Sequence, residues 1–436
     1  MSSQSVYTIT SMNPSEPKKL PFSFKNLEVL GLIASLALLI IGGYRNQIIL
    51  FGVPVLVSSY FIAKDLTQVS KLLILLPLFG LLLLGTRVGT GFGVIHILRD
   101  YAYFSSPIFA FVMGYVLYRH FSLEKFMLLL ILLGTLYSLL YFTQITFRFD
   151  TLFVDDTEKT RYFVGTGMPY PILAWVFILL GYRYLKVFRI SSLYWGLFLL
   201  INALAIVYFA SRVYYFTLIL YFLPLLYVSF IQRNKRLGKI IFYLVASLLI
   251  GVIVILLQGE NFLAEKMRNS LTEMFMSNFE DYDSVIHNWR AYELFEAVNA
   301  WMNAGVLNKI IGFGFGKTVY LEYELLMPLL TISEIPIFHN GFAYLLVKTG
   351  LIGICLELLF SFLVLYRAYK YYKRVPSMTF EFFIVLSSVL SFNFSLLVVN
   401  GMFSGESAIL VILTGFVYSM LKDAAEMKKR ESIEDI

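Results

Sequence analysis

Apolar residues along this chain gather in repeated blocks separated by short polar segments that hold most of the charge. A block of about 20 residues, rising about 1.5 Å per residue as an α-helix, matches the hydrocarbon thickness of a bilayer. Blocks of this kind are read at 28–44, 47–63, 72–86, 101–118, 125–147, 168–187, 191–210, 213–231, 239–257, 339–366, 379–400 and 405–421. The pattern predicts an all-α integral membrane protein with about twelve transmembrane helices. The expected organisation is a polar tail at 1–26, spans one to nine within 27–257, one large loop at 258–338, spans ten to twelve within 339–421, and a second tail at 422–436. Inside the loop, Gln258 to Phe279 mixes apolar and charged residues at helical spacing and reads as a helix on the membrane surface. A second amphipathic stretch runs from Val285 to Trp301, and Gly305 and the glycines of 312–316 then break the pattern. No internal repeat is strong enough to indicate a duplicated transporter fold.

Charge orients this frame. An even number of spans puts both tails on one side, and 22 of the 35 Lys and Arg residues fall on that side, against 7 in short segments of the other. The positive-inside rule therefore predicts cytoplasmic N- and C-termini and an outer, periplasmic or extracellular, loop at 258–338. That loop holds eleven acidic and five basic residues, which excludes an anionic-lipid anchor there. Hydrophobic residues make up 59% of the 436 and charged ones 14%, and the net charge of +7 sits in short clusters between spans, so nucleic acid is not implied. The single cysteine, Cys355, lies in an apolar block and excludes both a disulfide framework and a cysteine metal site.

Candidate chemistry collects on the outer side. His339-Asn340 opens the helix after the loop, supplying a group that titrates near neutrality beside one that can orient hydroxyls; helix capping by Asn340 is the ordinary alternative. Ser211-Arg212 ends a span at the outer surface, where an arginine needs an anionic partner or a wet cavity unless it snorkels to headgroups. Arg290 stands in NWRAYELFEAVNAW, where a surface pair with Glu293 is the default for an isolated arginine. Arg87 and Arg99 flank GTGFGVIHIL in an outer loop, and Arg45 closes the first hairpin. The run Gly312 to Thr318 lacks Walker A spacing and faces away from cytoplasmic nucleotide; its backbone and Lys317 remain candidate anion contacts, with a plain turn as the alternative. The acids Asp155, Asp156, Glu158, Glu280, Asp281 and Asp283 have no metal-loop spacing, so neither a metal nor a cofactor is expected. Lys348, Glu357 and Glu406 lie within or at the mouth of spans and keep an ion-coupled transporter or flippase open as a second class.

These residues also resemble a family. HNGFAYLLVKTGLIGI is similar to the motif that opens the post-loop helix in the O-antigen ligase and Wzy-type polysaccharide polymerase superfamily. Ser211-Arg212, Arg290 with Trp301, and IIGFGFGKT resemble that superfamily's earlier motifs, in its order, over about 205–365. The resemblance implies a GT-C-like glycosyltransferase of the bacterial inner membrane. Such an enzyme takes its glycan from an undecaprenyl-diphosphate-linked oligosaccharide at the outer face, without metal or nucleotide. Membrane lipids and a chain-length regulator protein are the other candidate partners. It further implies that Arg212 and Arg290 hold the donor diphosphate and that His339 contacts or deprotonates the acceptor hydroxyl. Ser211, Asn340 and Lys317 are expected to contact substrate, and Arg87 and Arg99 either extend the same basic cavity or sit at the membrane interface. The acidic loop suits a polymerase, whose acceptor is less anionic than the lipid A core that a ligase uses.

Overall fold

The computed structural model describes residues 24–41, 47–64, 70–87, 92–149, 168–209, 211–231, 279, 282–327, 330–399 and 401–434. In chain order the helices are α1 (Phe24–Ile41), α2 (Gln47–Lys64), α3 (Leu76–Gly85), α4 (Val94–His120), α5 (Leu123–Phe149), α6 (Tyr170–Leu180), α7 (Ser192–Phe209) and α8 (Arg212–Ile231). Three shorter ones, α9 (Tyr282–His287), α10 (Trp289–Met302) and α11 (Val306–Ile311), precede the strands β1 (Val319–Met327) and β2 (Leu330–Ile335). The chain closes with α12 (Gly341–Arg374), α13 (Thr379–Val398) and α14 (Ala408–Glu434). Eleven of the twelve expected spans coincide with described helices; the ninth, 239–257, lies outside the described residues, as does the expected surface helix from Gln258. Five of the helices are long and apolar enough to cross a bilayer, and the other apolar ones are shorter.

The distribution of side chains is that of a membrane protein. Leu56, Leu83, Leu193, Val207 and Phe362 are exposed, while Thr135, Ser138, Asn202, Ser387 and Ser391 are buried. A soluble protein would reverse this arrangement, because lipid accepts aliphatic side chains but cannot satisfy a hydroxyl or an amide. Three of these groups bond to one another across helices: Asn202 of α7 donates to Thr135 Oγ1 at 2.8 Å, and Ser138 donates to Asn202 Oδ1 at 3.0 Å, tying α7 to α5. The tightest crossing pairs α4 with α14. A Cβ on Gly114 would meet the Ile412 carbonyl oxygen at 2.1 Å, and one on Gly415 the Phe111 oxygen at 2.2 Å, so the two backbones are in direct contact. Close approach through small residues is how helices associate where water exclusion supplies no driving force.

The loop region departs from the all-helical expectation. Residues 319–335 form an antiparallel hairpin that begins with Val319 opposite Ile335 and ends with Met327 opposite Leu330, with an irregularity in β1 between Tyr320 and Leu325. Alternating Val, Leu, Tyr and Ile favour a strand. The hairpin docks on α10, where the Tyr323 amide donates to the Tyr292 hydroxyl at 2.8 Å. Burial pushes the Tyr292 phenol up to about 12, so it stays protonated while accepting that bond. Through Pro336 and the buried Phe338, β2 delivers the chain to the head of α12.

Candidate active site at the head of α12

Asn340 is the N-cap of α12, its Oδ1 accepting from the Ala343 amide at 3.0 Å. Its Nδ2 donates to the Leu397 carbonyl in the last turn of α13 at 2.9 Å. Both ends of the amide are therefore engaged with protein, so the expected substrate contact becomes a brace that fixes the helix mouth. His339 is held just before it. Its backbone N–H donates to Glu293 Oε2 at 3.0 Å, and its ring Nδ1 meets the same oxygen at 2.7 Å. The Glu293 side chain is only 4% exposed, whereas that of His339 is 45% exposed. A carboxylate accepts and does not donate, so Nδ1 carries a proton, and in the neutral form of the ring Nε2 is the nitrogen with the lone pair. Among the described residues Nε2 has no partner.

Glu293 comes from α10, and Arg290 lies one helical turn before it on the same helix. The expected surface pair between these two does not form: the carboxylate is turned inward to His339, and Arg290, half-buried, has no ion pair or hydrogen bond among the described residues. A cation, an oriented imidazole and a buried carboxylate are thus gathered where α10 meets the head of α12. Trp301, at the far end of α10, donates its indole N–H to the Lys309 carbonyl at 3.0 Å and ties α10 to α11.

The other expected residues separate into two groups. Arg212 opens α8, after the buried Ser211, whose carbonyl accepts from the Tyr214 and Tyr215 amides at 3.1 Å. The Arg212 side chain lies outside the described residues. One turn on, Phe216 packs at a tilt against Phe394 of α13, 4.3 Å between ring centroids and one turn before the Leu397 carbonyl that holds Asn340. The heads of α8 and α12 therefore meet the same end of α13. The Tyr214 hydroxyl donates to Glu406 at 3.3 Å, which places this acid at that end too. Arg99, near the start of α4, contacts His96 Nδ1 through Nη2 at 2.9 Å, while its buried Nε has no partner among the described residues. Asp155, Asp156, Glu158, Glu280, Asp281 and Arg45 lie outside the described residues, as does the side chain of Asp283.

Lys348 belongs instead to a buried structural knot, with the partly buried Lys317 and the exposed Arg87 at its margin. Helix α12 is broken at Gly350, whose φ of 66° and ψ of −163° interrupt the helix. The carbonyls of Val347 and Lys348, just before the break, accept from the amides of Phe313 at 2.9 Å and Gly314 at 3.0 Å. The glycine run is thus a splint that satisfies a helix end inside the bundle. Glycine is required on both sides, since a Cβ on Gly312 would lie 2.4 Å from Lys348 backbone atoms and one on Gly350 would lie 2.5 Å from Gly312 N. Beneath the splint, Lys348 pairs with Asp100 of α4 at 2.6 Å, both fully buried. The Tyr344 hydroxyl and the Gly316 amide also donate to that carboxylate, at 2.6 and 2.8 Å. Lys348 further donates to the Lys317 carbonyl, and the Lys317 ammonium lies 5.3 Å from the Phe313 ring centroid. Arg87 donates to Asn308 Oδ1 at 3.0 Å and weakly to the Gly312 carbonyl. The intramembrane lysine that kept a transporter open is therefore neutralised within the fold.

Two residues of consequence, Glu293 and Asp100, are absent from the sequence-based candidates. Asp100 carried a usable signal, because a lone acid at the mouth of an apolar span calls for a basic partner and Lys348 was the unmatched intramembrane base. Glu293 carried none, since its partner is 46 residues away across a hairpin. Compared with known proteins, the chain matches no family model and no curated protein.

Proposed function

We propose that the protein is an integral-membrane glycosyltransferase of the O-antigen polymerase and ligase type, joining undecaprenyl-diphosphate-linked oligosaccharide repeats at the outer face of a bacterial inner membrane. The observation that carries this reading is the hydrogen bond from His339 to the buried Glu293, one turn along α10 from Arg290, which has no partner among the described residues. An imidazole with its Nδ1 proton engaged by a carboxylate presents Nε2 as a base toward a hydroxyl. A guanidinium without a protein partner suits a diphosphate, which its planar fork grips through two oxygens. In the proposed reaction the acceptor hydroxyl oxygen attacks the anomeric carbon and its proton passes to His339 Nε2. The bond from that carbon to the diphosphate oxygen breaks, and its electron pair leaves with undecaprenyl diphosphate. Fixed positive charge from Arg290 and Arg212 stabilises the growing negative charge more in the transition state than in the ground state. The twelve-span topology with cytoplasmic termini belongs to the same proposal.

Reconstituted protein given a synthetic undecaprenyl-diphosphate oligosaccharide is expected to release undecaprenyl diphosphate and make a ladder of longer glycans. Arg290→Ala should abolish the ladder, and Arg290→Lys should restore little of it, because a point charge lacks the bidentate fork. Transfer of preformed polymer to a lipid A core, with no ladder, would identify the ligase instead. Translocation without bond formation would place the protein among flippases and overturn the reading.

A further inference from the structure

The end of α12 opposite His339 carries a second feature that glycosyl transfer does not use. A groove of about 740 Å³ lies between the last turns of α12 and α14, and its lining includes Arg367, Lys370, Arg374, Glu426, Lys429 and Arg430. Its single carboxylate, Glu426, already faces Lys422 at 3.9 Å. Five cations, from helices more than fifty residues apart in sequence, therefore converge on one concavity with one answered negative charge. Charge bias between loops requires basic residues on this side of the membrane but does not require them to share a hollow.

We infer that this groove binds the headgroup of an acidic phospholipid. The ligand chemistry is a phosphate diester, since guanidinium and ammonium groups converge without an acceptor array for a sugar or a base. The lipid source, as opposed to a free phosphate, follows from what lies beside the groove. Leu359, Phe362, Tyr366 and Lys370 recur at three- and four-residue spacing along one face of α12, and the first three are exposed. Phe362 and Tyr366 stack at 5.7 Å with their rings 12° apart, and the Lys370 ammonium sits 4.7 Å from the Tyr366 centroid. The face thus passes from aliphatic through aromatic to cationic, the order in which a lipid passes from acyl chain through glycerol to phosphate.

The test uses the full-length protein in neutral detergent, titrated with phosphatidylglycerol, with phosphatidylcholine of the same acyl chains, and with inorganic phosphate or glycerol 3-phosphate. Retained lipid is read by native mass spectrometry and by the shift in Tm. Phosphatidylglycerol is expected to be retained over phosphatidylcholine by about tenfold or more, and the soluble phosphates should raise Tm little. Each cation near a headgroup is worth about fivefold in affinity, so Lys370→Gln/Arg374→Gln/Arg430→Gln should lose phosphatidylglycerol by about a hundredfold. Lys373→Gln/Lys428→Gln, outside the groove, should stay close to wild type. Equal retention of the two lipids, an equal Tm shift from inorganic phosphate, or undiminished binding by the triple variant overturns the inference. Should the triple variant fail to accumulate, the lipid and phosphate arms on wild type decide the matter together with Lys370→Gln alone.

Discussion

Two places on the same helix, the head of α12 and its break at Gly350, hold the charged and glycine-rich motifs that drew notice in the sequence, and they are built in opposite ways. At the break the buried charges are answered: Lys348 has Asp100, Asp100 has Tyr344 and the Gly316 amide, and the interrupted carbonyls have the amides of the glycine run. At the head, His339 is nearly half exposed with Nε2 unengaged, and Arg290 has no partner among the described residues. Buried charge that is fully paired belongs to the fold, because leaving any member unpaired in low dielectric is prohibitive. Charge that is oriented on one side and open on the other is available to a ligand. Lys348 is thus part of the fold, and Glu293 joins the candidate site.

The sharpest way to break the comparison is Lys348→Met, which strands the Asp100 carboxylate. A loss of about 3–5 kcal/mol is expected, read as reduced membrane abundance and lower Tm, with partial recovery in Asp100→Asn/Lys348→Met. Wild-type abundance in the single variant would remove the structural assignment of the pair. Gly350→Ala comes next. The left-handed backbone alone costs about 1–3 kcal/mol, and the contact with Gly312 adds to it. Its thermal unfolding should show the loss whether or not substrate is present.

At the head of α12 the expected pattern is reversed, with abundance kept and turnover lost. His339→Ala should lower kcat by about 10²–10⁴-fold, with a smaller effect on donor binding. Glu293→Gln should also lower kcat more than KM and alter the shape of the pH–rate profile, since an amide cannot hold the imidazole as a carboxylate does. Loss of abundance in these variants equal to that of Lys348→Met would erase the distinction between the two regions.

The smallest effect belongs to the hairpin. The Thr318 hydroxyl donates to Glu334 at 2.6 Å and holds that carboxyl below its ordinary value, with burial opposing and Tyr320 assisting. A group whose pKa is lowered by folding contributes stability that is present above the unfolded value and lost as pH falls through the lowered one. Thr318→Val should therefore shave Tm slightly at neutral pH, and the difference should shrink as pH falls through the lowered value of the carboxyl. Because the carboxylate is largely solvated, the difference is expected to be small.

Periodicity and block length alone determined most of the helices: eleven of the twelve expected spans coincide with described helices, because a bilayer imposes a length and a polarity that a single segment must meet by itself. Asn340 as a helix cap was equally legible, since capping acts over three residues. The sequence did not reveal the hairpin at 319–335, whose strands are stabilised by pairing with each other and by docking on α10. Neither did it reveal that the glycine run splints a broken helix, because the contacted carbonyls lie more than thirty residues onward. Local spacing offered Glu293 to Arg290, its neighbour by one turn. Only the tertiary structure gave it to His339, since a buried carboxylate takes the donors that surround it in space, and 46 residues of intervening chain leave no trace of that choice in the sequence.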